Sequence, residues 1–226
     1  MSNLKRFSLI LTAAALAATT LTARIGEKRS ELEGRMLSGR NAVKLPSRSA
    51  DILLGLDSVP YRTEILYFPE GSVQEVYYKL AEDGQATTSD LEEGIAAAGN
   101  DKTRRRADSL LPPGWIMHVV YVDNVSVFES YRRCGEKMSR YEEKGILKIN
   151  QDESEWKRVS SKDAEPSAFG YNMVREDGEV RALTKGSYML VFDTDFDLAV
   201  FDVKEEASAT QDVEAQGMAS VSLEGF

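Results

Sequence analysis

The 226-residue chain holds one cysteine, Cys134, and one histidine, His118, and these two shortages remove whole classes of function. A single thiol makes no intrachain disulfide, and nothing beside Cys134 in the sequence marks it as a low-pKa nucleophile. Zinc sites of the Cys and His kind lack ligands. A Ser-His-Asp or Cys-His centre would have to run through His118. That residue stands inside an alternating apolar stretch and reads as a strand residue, with no glycine-flanked nucleophile elbow to accompany it. Neither a P-loop nor a glycine-rich dinucleotide fingerprint occurs. Basic charge is scarce as well: 28 Lys and Arg against 37 Asp and Glu leave a formal charge of −9. Phosphate binding needs clustered cations, so nucleic acid and anionic membrane are excluded as main partners. The run Arg104-Arg105-Arg106 reads as a solvated helix face paired with nearby acids. Asp193, Asp195 and Asp197 alternate as calcium ligands do, but without the glycine and closing glutamate of an EF-hand loop, and Asp195 and Asp197 read as turn residues of the last hairpin. No metal site and no cofactor are expected.

Long apolar runs are also missing. The run at 7–18, behind Lys5 and Arg6, falls short of the roughly 20 residues that a spanning helix needs. It has the layout of an export signal, with cleavage expected after Ala23. No cysteine follows it, so a lipid anchor is excluded, and membrane attachment is expected only if the segment stays uncleaved. An exported protein, periplasmic or secreted, is the expectation.

What the chain does have is strands. Residues 115–133 (WIMHVVYVDNVSVFESYRR) hold two β-branched and aromatic runs around Asp123-Asn124, a pair that tolerates the left-handed backbone of a tight turn. A similar text returns at 188–203, where Met117 answers to Met189 and Val127-Phe128 to Val200-Phe201, offsets of 72 and 73. Residues 61–68 and 73–80 read as a further hairpin around Pro69 to Ser72, and 172–175 with 180–183 as another around Glu176 to Glu179. Residues 26–37 read as a short charged helix with Leu32 and Met36 on one face, and 139–150 as a helix opened by a capping box, Ser139 with Glu142. Residues 156–160 read as a short strand and 41–59 as loop, with local packing at 52–56.

These elements predict an α+β protein of two tandem units, each one helix plus a four-stranded antiparallel sheet of two hairpins. The expected organisation is a signal peptide at 1–23, a first unit at 24–133 interrupted by a polar insertion at 81–114, a second unit at 134–204, and a disordered acidic tail at 205–226. Within the insertion Ser89 and Glu92 form a second capping box. Alternation puts Met117, Val119 and Tyr121 on one sheet face and Ile116, His118, Val120 and Val122 on the other. Helices would cover one face. The other is either covered by the second unit or left as an aromatic surface able to bind a partner.

Ala23-Arg24-Ile25-Gly26-Glu27, then Phe128-Glu129-Ser130-Tyr131-Arg132-Arg133, Met138-Ser139 and Trp156, resemble corresponding stretches of a group of uncharacterised exported bacterial proteins. That group implies no activity. At the level of architecture the tandem units resemble the β-lactamase-inhibitor protein fold, and the single unit resembles small outer-membrane assembly lipoproteins of the SmpA/OmlA type. Both imply protein binding by a sheet face and no catalysis. The chain departs from them in having no lipobox cysteine, no disulfide pair and no second helix in either unit. The favoured expectation is an exported, non-enzymatic protein-binding module of the cell envelope that contacts its partner through Tyr67, Tyr77, Tyr121 and Phe128. The rivals are a hydrolase of envelope polymers using a carboxylate pair and a membrane-anchored structural component of the envelope.

Overall fold

The turn Asp123-Asn124 is where residue type dictates backbone most directly. Both residues take positive φ, 50° and 63°, the geometry of a two-residue turn whose twist suits a hairpin. It joins β3 (Gly114–Val122) to β4 (Val125–Cys134). One extra residue, Val127, bulges between the pairs Val120–Phe128 and Tyr121–Ser126 and bends β4 there.

The computed structural model describes residues 24–81, 87–100 and 111–221. In chain order the remaining elements are α1 (Arg29–Met36), β1 (Ala42–Lys44), α2 (Ser47–Leu54), a 3₁₀ turn (Glu64–Tyr67), β2 (Val73–Leu80), α3 (Thr88–Asn100), α4 (Arg140–Ile149), β5 (Trp156–Arg158), β6 (Met173–Arg175), β7 (Val180–Thr184), β8 (Tyr188–Asp193) and α5 (Thr194–Val221). All eight strands among the described residues belong to one antiparallel sheet in the order β1-β2-β3-β4-β8-β7-β6-β5. This corrects the expectation of two separate four-stranded units with one helix each. β4 and β8 pair from Phe128–Phe192 to Arg132–Tyr188, so the two halves share one hydrogen-bonded sheet, and five helices pack on it.

Alternation along the strands sorts the core cleanly. Tyr77, Met117, Val119, Tyr121, Tyr131, Val180, Met189 and Val191 face one way, against Leu32 and Met36 of α1 and Ile146 of α4. On the other face Val76, Tyr78 and Ile116 pack against α2 and α3. Beside them Val120, Phe128, Leu190 and Phe192 pack against Phe196 and Val200 of α5. Helices therefore roof both faces, and no open aromatic sheet face exists among the described residues.

The other departures have local causes. Residues 61–68 form turns and the 3₁₀ segment instead of a strand. Tyr61 and Phe68 both enter the same core cluster, whereas residues seven apart would point to opposite faces of a strand. The second copy of the main hairpin is absent, because Asp193 Oδ1 accepts the Phe196 N–H at 2.9 Å and starts α5. A turn-forming aspartate is equally a helix cap. Phe196 and Val200, four apart, then lie on one buried helix face. The residues after 204 are described as helix to Val221, not as a disordered tail. Their Ala, Glu and Gln are good helix formers. Residues 41–59, expected as loop, supply β1 and α2, and the polar insertion supplies α3, whose Leu91, Ile95 and Ala98 are buried at helical spacing. The capping box of α4 is present in both directions, Glu142 N–H to Ser139 Oγ and Ser139 N–H to Glu142 Oε2. The proposed export signal and Arg104 to Arg106 lie outside the described residues.

Candidate functional site

The four residues expected at a contact surface are placed mostly inside. Tyr77 and Phe128 are 0% exposed and Tyr121 is 1%. Only Tyr67, half-buried in the 3₁₀ turn, reaches the surface. The sequence offered no way to know this, since a strand pattern gives the face of a residue and not what lies on that face.

Tyr77 and Tyr121 instead belong to a buried polar row. Glu75 of β2 accepts hydrogen bonds from Arg29, from Lys44 Nζ at 2.9 Å and from the Tyr77 hydroxyl. The Tyr77 and Tyr121 hydroxyls lie 3.3 Å apart, and the Arg29 guanidinium sits over the Tyr121 ring at 5.8 Å. Burial pushes the Glu75 carboxyl up, but the Tyr77, Lys44 and Arg29 hydrogen bonds outweigh it and leave the carboxyl below its ordinary value. Burial and the neighbouring carboxylate hold Tyr77 well above the ordinary phenol range, so it stays a donor.

Two strands along the same row, with Val119 between them in register, stands Glu129. It is 0% exposed. Tyr131 donates to its Oε2 at 2.6 Å, while Oε1 has no hydrogen-bond partner. Burial pushes its carboxyl up to about 8, against smaller opposing hydrogen bonds from Tyr131 and Ser126. An ionised carboxylate beside a protonated one is the pattern of a glycosidase pair. Glu129, however, is sealed under α1, so this pair meets no polymer.

The other polar residues of the interior serve structure. His118, the strand residue the alternation predicts, is 1% exposed. Its Nδ1 shares a hydrogen bond with the Tyr61 hydroxyl at 3.1 Å, and its Nε2 has no partner among the described residues. Burial drives its pKa down to about 3, so the imidazole is neutral. Asp197, read from sequence as a turn residue, is a 0% exposed carboxylate on α5. Its Oδ2 accepts from buried Arg181 at 2.8 Å, and its Oδ1 accepts from Ser167 Oγ at 2.9 Å and Ala168 N–H at 2.8 Å. The ion pair fixes the loop before β6. Among the described residues no group of His, Cys, Asp and Glu is placed to hold a metal ion. Cys134 is fully buried.

One open feature among the described residues is a groove of about 590 Å³ along the outer edge of β2. Its floor is Val73 to Val76. One wall carries Arg29 and Lys44, and the other carries Leu54 of α2 with Arg62, Ile65 and Leu66 around the 3₁₀ turn. Its volume lies within the range of ligand sites. The groove exists because β1 is short. β1 covers only Tyr77 to Lys79 of β2, and one more bond, Leu45 N–H to the Val76 carbonyl at 2.8 Å, ends the pairing. Pro46 then starts α2, where the Ser49 and Ala50 N–H groups bond to its carbonyl. No known protein family, curated protein or solved structure matches the chain.

Proposed function

We propose that the chain is an exported, non-enzymatic protein-binding module of the cell envelope, and that its contact surface is the groove along β2. One observation carries the choice of surface. Of the five large apolar side chains that stand exposed among the described residues, Leu66 (81%) and Val73 (37%) both line this groove. Exposed apolar groups gathered in one concavity favour burial by a partner, whereas scattered ones call for no explanation. Export is supported by the basic, apolar and small-residue order of residues 1–23. The test immobilises the chain from Arg24 onward and compares envelope proteins retained by wild type, Leu66→Asp and Tyr141→Asp. Tyr141 is 88% exposed and lies outside the groove. A partner kept by wild type and Tyr141→Asp but lost by Leu66→Asp supports the reading. Equal retention by all three removes the groove as the contact surface.

A further inference from the structure

We infer that the groove takes an extended segment of a partner protein as an added strand on the outer edge of β2, the segment carrying alternate apolar side chains and a carboxylate. This rests on the binding-module reading and deepens it.

Leu80 N–H bonds to Asn41 O, and Leu45 N–H bonds to Val76 O. These two bonds fix the even-numbered residues of β2 as those whose peptide groups point toward β1. The β1 pairing stops at Tyr77, with Leu45 reaching Val76 as its last contact. The peptide groups of Gln74 therefore point outward where no strand lies among the described residues, and Gln74 is exposed. An open strand edge is a ready template for another chain.

The side chains flanking this edge set the chemistry. Strand side chains alternate across the sheet plane, and so do the walls of the groove. Leu54, Ile65 and Leu66 line the α2 side together with Arg62, while Arg29 and Lys44 line the α1 side. A bound strand would thus present apolar groups and a carboxylate toward α2 and polar groups the other way. Of the three cations that line the groove, Arg29 is bound to Glu75 and Lys44 to Glu33 and Glu75, and Arg62 is the one most ready to change partners. Its bond to Asp57, at 2.8 Å, joins two side chains 41% and 49% exposed, the kind of surface pair that contributes little and exchanges readily.

The experiment pans a random linear dodecapeptide library on the full chain. It then measures the most enriched peptide by fluorescence anisotropy. Gln74→Pro removes the outward N–H without touching the β2–β3 ladder, where the odd-numbered residues bond. It should weaken binding about tenfold, the loss of one to two hydrogen bonds, while Tyr141→Asp leaves it unchanged. A backbone N-methyl scan of the peptide tests the same point without altering the protein. A loss at one peptide position, or at two positions two residues apart, supports strand addition. Losses at adjacent positions overturn it, and so does failure to enrich any peptide. If the envelope partner of the previous section is then still lost by Leu66→Asp, the groove binds a folded surface and only the strand inference fails. A self-dimer abolished by Gln74→Pro would assign the edge to a second copy of this chain and also overturn the peptide.

Discussion

Glu129→Gln offers the sharpest test of the interior, because a buried acid kept neutral ties stability to pH with a definite sign. The folded carboxyl sits at about 8 against an ordinary 4.5, mainly through burial. Below 4.5 the carboxyl is protonated in both states and has no effect. Between 4.5 and about 8 the unfolded chain ionises while the folded chain keeps its proton, so folding takes up a proton and stability falls as pH rises. Above about 8 the penalty is constant. At about 1.4 kcal/mol per unit, the gap amounts to at most about 5 kcal/mol. Glutamine keeps an acceptor for Tyr131 and never ionises. Urea unfolding at pH 5, 6, 7, 8 and 9 should show the variant close to wild type at pH 5. Its advantage should then grow by about 1.4 kcal/mol per pH unit and level off near pH 8. An advantage that does not change with pH would refute the placement of Glu129 as a neutral, sealed carboxyl.

His118 carries the opposite sign: with its folded pKa lowered to about 3, it costs stability as pH falls below the ordinary histidine value of about 6.5. His118→Phe should therefore flatten the acid limb of the same urea series relative to wild type. Asp197→Ala removes the buried partner of the Arg181 guanidinium, which is 2% exposed and keeps Glu165 at 2.6 Å, and should cost about 2–3 kcal/mol. It should also raise hydrogen exchange at Ala168, whose N–H the carboxylate accepts. Gly114→Ala places a Cβ against the Lys79 carbonyl and 2.5 Å from the Tyr78 hydroxyl. Overpacking of that kind costs about 1–3 kcal/mol, read as a lowered thermal midpoint. Ser139→Ala removes one half of the α4 capping box, at about 1 kcal/mol by the same assay.

Glu129 and Asp197 also mark the limit of reading this chain from sequence. Both are carboxylates in polar-looking surroundings, FES and DFD, and nothing in those triplets places them in the interior. Their burial follows from α1 folding over one sheet face and α5 over the other, contacts between residues far apart in the chain. The groove is of the same kind: Pro46 reads as a breaker in any context, but that the strand it cuts short borders β2, and that Leu66 faces the opening, depends on how α2 and the 3₁₀ turn pack.

Local rules carried what is local. The Asp123-Asn124 turn, the face assignment along β3, the burial of Leu32 and Met36, the Ser139 cap and the hairpin around Gly178 all follow from backbone preference and side-chain period within a few residues. The number of sheets did not, because strand order is decided by which edges meet. β4 and β8 each offer an apolar edge, and pairing them merges two candidate units into one sheet. Nor did the state of residues 61–68 and 194–203, where aromatic and turn-forming residues suit a strand, a turn or a capped helix equally until the core they enter is known. The sequence determined most of the elements, and the tertiary structure alone decided which face, edge and groove remained for a partner.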